Sequence, residues 1–81
     1  MKRVTVHTFA QLRDYFGPEV SMTLASHEGI GELIRQLQEQ KPESALLLAN
    51  CRFANEEEFI DASYPLQDEA HIYFYPPSSG G

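Results

Sequence analysis

One segment of the chain has the periodicity of a long helix, and this limits the folds open to the sequence. Between Gly29 and Gln40 the apolar residues recur at i, i+3, i+4 and i+7, which places one stripe on one helix face: Ile30, Leu33, Ile34 and Leu37. Lys41-Pro42 ends the helix, because the residue before a proline avoids the helical conformation. A single apolar stripe needs a second layer to cover it, and the other segments must supply that layer.

Segments with a two-residue period lie on both sides of this helix and indicate β-strands. A short helix over Ala10–Phe16, closed by Gly17 in a left-handed C-cap, joins the first two strands as an antiparallel pair. A further helical turn is predicted over Ser44–Asn50. The predicted strands are Arg3–Phe9, Glu19–Leu24, Cys51–Ala54, Phe59–Ile60 and the aromatic-rich Ala70–Tyr75.

This order of elements predicts an α+β fold, a ubiquitin-like β-grasp roll in which one main helix covers a mixed sheet. Residues 1–75 form the predicted domain and residues 76–81 an extended C-terminal tail. With 81 residues the chain is long enough for one small domain, which leaves little room for an enclosed active site.

Charge and cysteine content restrict the partners and the compartment. Twelve acidic and six basic side chains give a net charge of −6, which disfavours nucleic acid and anionic membranes and favours basic protein partners. The single cysteine, Cys51, excludes an internal disulfide and fits a reducing compartment. The chain shows no span of about 20 apolar residues and no signal-peptide pattern, so a cytoplasmic location is expected.

The ordinary catalytic and metal-binding patterns are not evident. The three histidines, His7, His27 and His71, lie in distant segments without ligand spacing, and we expect no metal site. We interpret Cys51 as a small half-buried strand residue rather than a nucleophile. The acidic run Glu56–Glu58 is interpreted as a solvated loop.

The ending YPPSSGG offers a different kind of chemistry. Pro76-Pro77 stops strand pairing and sets an extended exit, and Gly80-Gly81 makes the end narrow enough to enter a tunnel. The carboxylate of Gly81 is ionised and resists nucleophiles, so it must first be activated, for example as a mixed anhydride with AMP. A sulfur nucleophile that displaced AMP would leave a thiocarboxylate.

These residues carry a resemblance to a known family. The ending FYPPSSGG is similar to the F-x-P-P-x-x-G-G signature of the small subunit of molybdopterin synthase, the MoaD family of sulfur carriers. A strand leading into Phe9–Arg13, a run closed by Gly17, and Pro65-Leu66 followed by an acidic turn also match, so the resemblance covers the whole chain.

The resemblance implies a reaction cycle and a set of partners. An E1-like adenylating enzyme would use ATP to activate Gly81, and a sulfurtransferase or cysteine desulfurase would supply the sulfur. The thiocarboxylated tail would enter the large subunit, MoaE, in a heterotetramer of two small and two large subunits. It would give sulfur to the cyclic pyranopterin precursor, and two transfers would build the molybdopterin dithiolene. Catalytic side chains would belong to the large subunit, and this chain would bind no permanent cofactor.

Two questions stay open at this stage. The first is which molecule accepts the sulfur, because a carrier for thiazole synthesis or tRNA thiolation would have the same tail chemistry. A plain ubiquitin-like interaction domain is a further alternative, and it would have no tail chemistry. The second is the docking surface. We predict that the large subunit contacts an apolar patch at the tail exit, formed by Phe9, Phe59, Tyr75, Pro76 and Pro77; the alternative is that some of the aromatic residues fill the core.

Overall fold

A computed structural model describes residues 1–77, and the predictions for Gly80 and Gly81 lie outside them. The described strands are β1 (Lys2–Thr8), β2 (Glu19–Leu24), β3 (Arg52–Ala54), β4 (Phe59–Ile60) and β5 (Ala70–Tyr75). They form one sheet in the order β2-β1-β5-β3-β4. β1 pairs with β5 in parallel, whereas the β1–β2, β3–β4 and β3–β5 pairs are antiparallel, so the sheet is mixed.

The helices lie between the strands in the predicted order. They are α1 (Gln11–Phe16), α2 (Ile30–Gln40) and α3 (Ala45–Ala49), with a 3-10 turn over Pro42–Ser44. The apolar stripe of α2 packs on one face of the sheet, and the predicted α+β roll is confirmed. In residues 1–77 no helix has the length and apolar character needed to span a membrane.

The core follows from the alternation within the strands. On β1 the side chains of Val4, Val6 and Thr8 are buried, as the period of two predicted, and on β5 Ile72 and Phe74 are buried beside them. The core cluster of buried residues is Val4, Val6, Leu12, Met22, Leu24, Ile30, Leu33, Leu37, Leu48, Leu66, Ile72 and Phe74. The other side chains of β1 and β5 therefore point to the opposite face of the sheet, which we call the outer face.

The turn after α1 differs in one detail from the prediction. Gly17 has the expected positive φ of 78°, but its ψ of 176° places it outside the left-handed helical region. This extended conformation with positive φ is accessible almost only to glycine. It directs the chain into β2, where the backbone N–H of Thr8 donates to the carbonyl of Pro18 at 3.1 Å.

Substitution of Gly17 tests this conformation. Gly17→Ala should lower the free energy of unfolding by about 1–3 kcal/mol, because a Cβ is strained at this φ although no atom lies within 4 Å of its position. Gly31→Ala is the control, since Gly31 lies in α2 with equally open space and alanine favours helix by up to about 1 kcal/mol. Denaturant unfolding measures the free energy change of both variants. Equal effects of the two substitutions would contradict the positive φ of Gly17.

Candidate functional site

The three aromatic residues predicted to lie at the tail exit are brought together on the outer face. The rings of Phe9 and Tyr75 lie parallel, with centroids 4.7 Å apart, and Phe59 meets Tyr75 edge-on at 6.0 Å. Their side chains stay exposed, at 37% for Phe9, 60% for Phe59 and 36% for Tyr75. None of the three belongs to the core cluster, so the alternative that they fill the core is wrong. Their role in docking stays a prediction.

The strand register explains this cluster. His7 on β1 is the partner of Tyr73 on β5, so the chain just beyond β1 places Phe9 beside Tyr75. On the other side, Ala54 of β3 pairs with both Tyr73 and Phe59. The small side chain of Ala54 thus lies, buried, between two aromatic neighbours on the outer face.

The aromatic surface extends further than the sequence predicted. Tyr73 stacks on His7 with ring centroids 4.6 Å apart, and His71 follows at the far end. Six rings thus form a continuous row, which we call the aromatic strip: Phe59, Tyr75, Phe9, Tyr73, His7 and His71. The signal was present in AHIYFY, where one face carries Ile72 and Phe74 and the other carries His71, Tyr73 and Tyr75.

Two of the histidines that looked separate in the sequence meet in the structure. His7 Nε2 and His71 Nδ1 are 2.9 Å apart, because β1 and β5 pair in parallel across more than sixty residues of sequence. A carboxylate oxygen of Glu19 on β2 lies 3.7 Å from His7 Nδ1. The third histidine, His27, is exposed in the loop between β2 and α2. Residues 1–77 contain no group of three or more potential metal ligands among His, Cys, Asp and Glu.

Charged groups border the strip near Phe59. The guanidinium carbon of Arg52 lies 4.7 Å from the centroid of the Phe59 ring, a cation–π contact. The exposed turn between β3 and β4 carries Glu56, Glu57 and Glu58, and the Asn55 side-chain oxygen accepts hydrogen bonds from the N–H groups of Glu57 and Glu58 at 2.8 Å each. Near Phe59 the strip is therefore bordered by the guanidinium of Arg52 and by an acidic turn.

The first residues of the tail border a second apolar surface. Pro76 is half-buried and Pro77 is exposed. Pro77 lines a cleft of about 430 Å³ between α1 and α3, together with Gln11, Tyr15, Glu43, Leu46, Leu47 and Asn50. Leu46 in this cleft is 77% exposed. Gly80 and Gly81, the predicted reaction site, lie outside the described residues.

Cys51 lies in an environment that suppresses thiol reactivity. It comes directly before β3, half-buried against the core rather than within the strand, and Sγ donates to the Leu47 carbonyl at 3.3 Å. Burial raises the pKa of the Cys51 thiol to about 11, so the thiol is protonated at neutral pH. A protonated thiol is a poor nucleophile and a poor sulfur acceptor.

Cys51 is accordingly expected to be dispensable for sulfur transfer. Cys51→Ala should keep full transfer activity and lose at most about 1 kcal/mol of stability. In the parent protein, alkylation by iodoacetamide should stay slow at neutral pH and accelerate as the pH approaches 11, because the thiolate is the reacting form. Loss of transfer in a well-folded Cys51→Ala protein would instead indicate a persulfide on Cys51.

Comparison with known proteins gives one family match by sequence. A family model described as the ThiS family matches residues 6–81, nearly the whole chain. No curated protein matches the sequence.

Solved structures agree on the fold. A Pyrococcus furiosus protein described as molybdopterin converting factor subunit 1 has a TM-score of 0.81 at 18% identity, with 96% of this chain and 100% of that chain covered. Small archaeal modifier protein 1 from Haloferax volcanii has a TM-score of 0.77 at 15% identity, with coverage of 96% and 100%. A chain in the complex of subunits 1 and 2 of molybdopterin-converting factor from Helicobacter pylori has a TM-score of 0.68 at 25% identity, with coverage of 98% and 99%.

Proposed function

The chain belongs to the ThiS family, and from this premise we propose that it is the sulfur-carrier subunit of a molybdopterin synthase. The observation that carries the proposal is the ending FYPPSSGG, which lies within the family match and has a proline pair and a glycine pair at the signature spacing. The β-grasp fold supports the proposal, because its last strand, β5, ends at Tyr75, directly before the tail.

In this proposal Gly81 is the last residue of the working protein and its carboxylate is the reacting group. An E1-like enzyme transfers AMP from ATP to the carboxylate and releases pyrophosphate. The terminal sulfur of a persulfide, supplied by a sulfurtransferase or cysteine desulfurase, attacks the carbonyl carbon and displaces AMP. A thiol then cleaves the S–S bond and leaves the thiocarboxylate, which donates its sulfur to the cyclic pyranopterin precursor. Two transfers complete the dithiolene.

The residues of this chain contribute recognition in the proposed cycle. The aromatic strip at Phe9, Tyr75 and Phe59 docks on the large subunit, and Pro76-Pro77 directs the tail into the active site of that subunit. Stacked aromatic rings suit such a surface because they offer large contact area with little conformational freedom to lose. The catalytic side chains of the synthase belong to the large subunit. The Helicobacter pylori complex of subunits 1 and 2 supports a partner of this kind.

A second candidate function differs in the acceptor of the sulfur or of the tail. The match to the ThiS family favours a carrier for another thiolation, such as thiazole synthesis or tRNA thiolation. A protein modifier of the ubiquitin type is a further alternative, and the fold shared with small archaeal modifier protein 1 is compatible with it. The proline pair before the tail favours the molybdopterin carrier. A plain ubiquitin-like interaction domain would need no activation of Gly81.

Intact mass and sulfur transfer test the proposal in two steps. The chain co-expressed with an adenylating enzyme should gain the mass difference between sulfur and oxygen, and it should lose this gain when Gly81 is deleted. The thiocarboxylated protein, mixed with the large subunit, should then convert cyclic pyranopterin to molybdopterin. If the mass does not change, the carrier proposal fails and an interaction domain is favoured. If the mass changes but cyclic pyranopterin is not converted, the sulfur has another acceptor.

A further inference from the structure

The histidine pair on the outer face is a cluster of potential metal ligands that the carrier function does not require. His7 Nε2 and His71 Nδ1 lie 2.9 Å apart at the end of the aromatic strip that is remote from the tail. His71 and Tyr75 are four positions apart on β5, a distance of about 13 Å along the strand. We propose that His7 and His71 form a two-histidine site for a divalent transition-metal ion, with Cu²⁺ bound best. The proposal is independent of the chemistry at Gly81.

The spacing of the two nitrogens fits ligation of one ion. Imidazole nitrogens bind such ions at about 2.0 Å, which puts two of them about 2.8 Å apart in square-planar geometry and about 3.3 Å apart in tetrahedral geometry. The observed 2.9 Å is the separation of a hydrogen bond between the two rings, and it brings both nitrogens within reach of one ion once the rings reorient. Square-planar ligation is the geometry that Cu²⁺ and Ni²⁺ prefer. For nitrogen ligands the affinity order of divalent ions places Cu²⁺ above Ni²⁺ and Zn²⁺. Water completes the coordination, since residues 1–77 offer no cluster of three ligands.

One of the two imidazoles is already held in place. Tyr73 stacks on His7 with rings inclined by only 14°, which fixes the ring plane. The carboxylate of Glu19 near Nδ1 of His7 favours the proton on that nitrogen, and this leaves the lone pair of Nε2 for a ligand. A carboxylate on the outer nitrogen is the usual arrangement around metal-bound histidine. The stacking on Tyr73 thus fixes the orientation of His7, and the tautomer with its proton on Nδ1, beside Glu19, is the one that a ligand needs.

His71 is the ligand whose ring must reorient to bind the ion. Without metal, Nδ1 of His71 and Nε2 of His7 share one hydrogen bond, whose donor depends on the tautomers of the two rings. Because His71 is exposed and the last torsion of a histidine is broad, its ring turns so that both lone pairs converge on one ion. For ligation through Nδ1, His71 adopts the tautomer that carries its proton on Nε2. Glu56 and Glu57 line the same cleft as His71 and add negative potential that favours a cation.

Calorimetry and electron paramagnetic resonance of tag-free protein with Cu²⁺ test the site. We expect one ion per chain and a spectrum with two imidazole nitrogens. His7→Gln and His71→Gln should each weaken Cu²⁺ binding by at least about tenfold, because each removes half of the protein ligands. Ni²⁺ and Zn²⁺ should bind more weakly than Cu²⁺ in the parent.

The third histidine provides the matched control. His27→Gln should leave Cu²⁺ binding unchanged, because His27 lies in the β2–α2 loop away from the pair. Melting temperatures of all three variants check that each remains folded. The site is refuted if the parent binds no Cu²⁺, or if His7→Gln and His71→Gln bind Cu²⁺ as tightly as the parent. A loss in His27→Gln equal to theirs would also refute it.

Discussion

Deletion of Gly81 should reduce sulfur transfer to background while the domain stays folded. The proposed reaction needs a carboxylate at this residue, and a tail shortened by one residue no longer reaches the same point in either partner. Because β5 ends at Tyr75 and the core cluster ends at Phe74, the free energy of unfolding should change by less than about 0.5 kcal/mol. Molybdopterin formation with the large subunit measures the first effect, and thermal unfolding the second.

An extension of the chain gives the stricter version of this test. One residue added after Gly81 should abolish transfer as the deletion does, because the carboxylate then lies at the wrong place. The matched control is one residue added before Met1, whose side chain is 91% exposed, and this protein should remain active. Normal pterin conversion by the Gly81-deleted protein would end the carrier proposal.

Tyr75→Ala should weaken the complex with the large subunit far more than it weakens the fold. Aromatic anchors near the centre of an interface commonly cost about 2 kcal/mol or more when truncated, roughly a thirtyfold loss of affinity. Tyr75 adjoins Pro76, stacks on Phe9 and meets Phe59, so it lies at the centre of the proposed contact. Affinity for the large subunit and unfolding free energy, measured on the same preparation, separate the two effects.

The neighbouring residue is the control for this substitution. Phe74 is fully buried on the opposite face of the same strand, and Phe74→Ala should lower stability by about 3–5 kcal/mol. Phe9→Ala and Phe59→Ala should behave like Tyr75→Ala, with the smaller stability loss at Phe59, the most exposed of the three. If all three outer-face variants bind the large subunit as tightly as the parent, the docking surface is misplaced even where the tail chemistry holds.

Much of the fold was predictable because its signals are local. The period of two in Glu19–Leu24 and Ala70–Tyr75 matches β2 and β5 residue for residue, and the stripe of α2 lies where the 3.6-residue period placed it. The periodicity of a strand or helix depends on a few neighbouring side chains, so it can be recognised without knowing the rest of the structure. Gly17 shows the limit of such signals. A glycine at the end of a helical segment predicted the positive φ, and the path of the chain into β2 decided the ψ.

The interpretation of the ending YPPSSGG as a reactive tail also came from sequence alone, because it depends on residue types and their spacing within one short segment. The sequence alone did not determine which residues meet on the outer face. Phe9, Tyr75 and Phe59 come from three separate segments, and His7 and His71 are brought together only by the parallel pairing of β1 with β5. Such contacts depend on the register between strands distant in the chain, and a shift of β5 by one residue would turn His71 and Tyr75 toward the core.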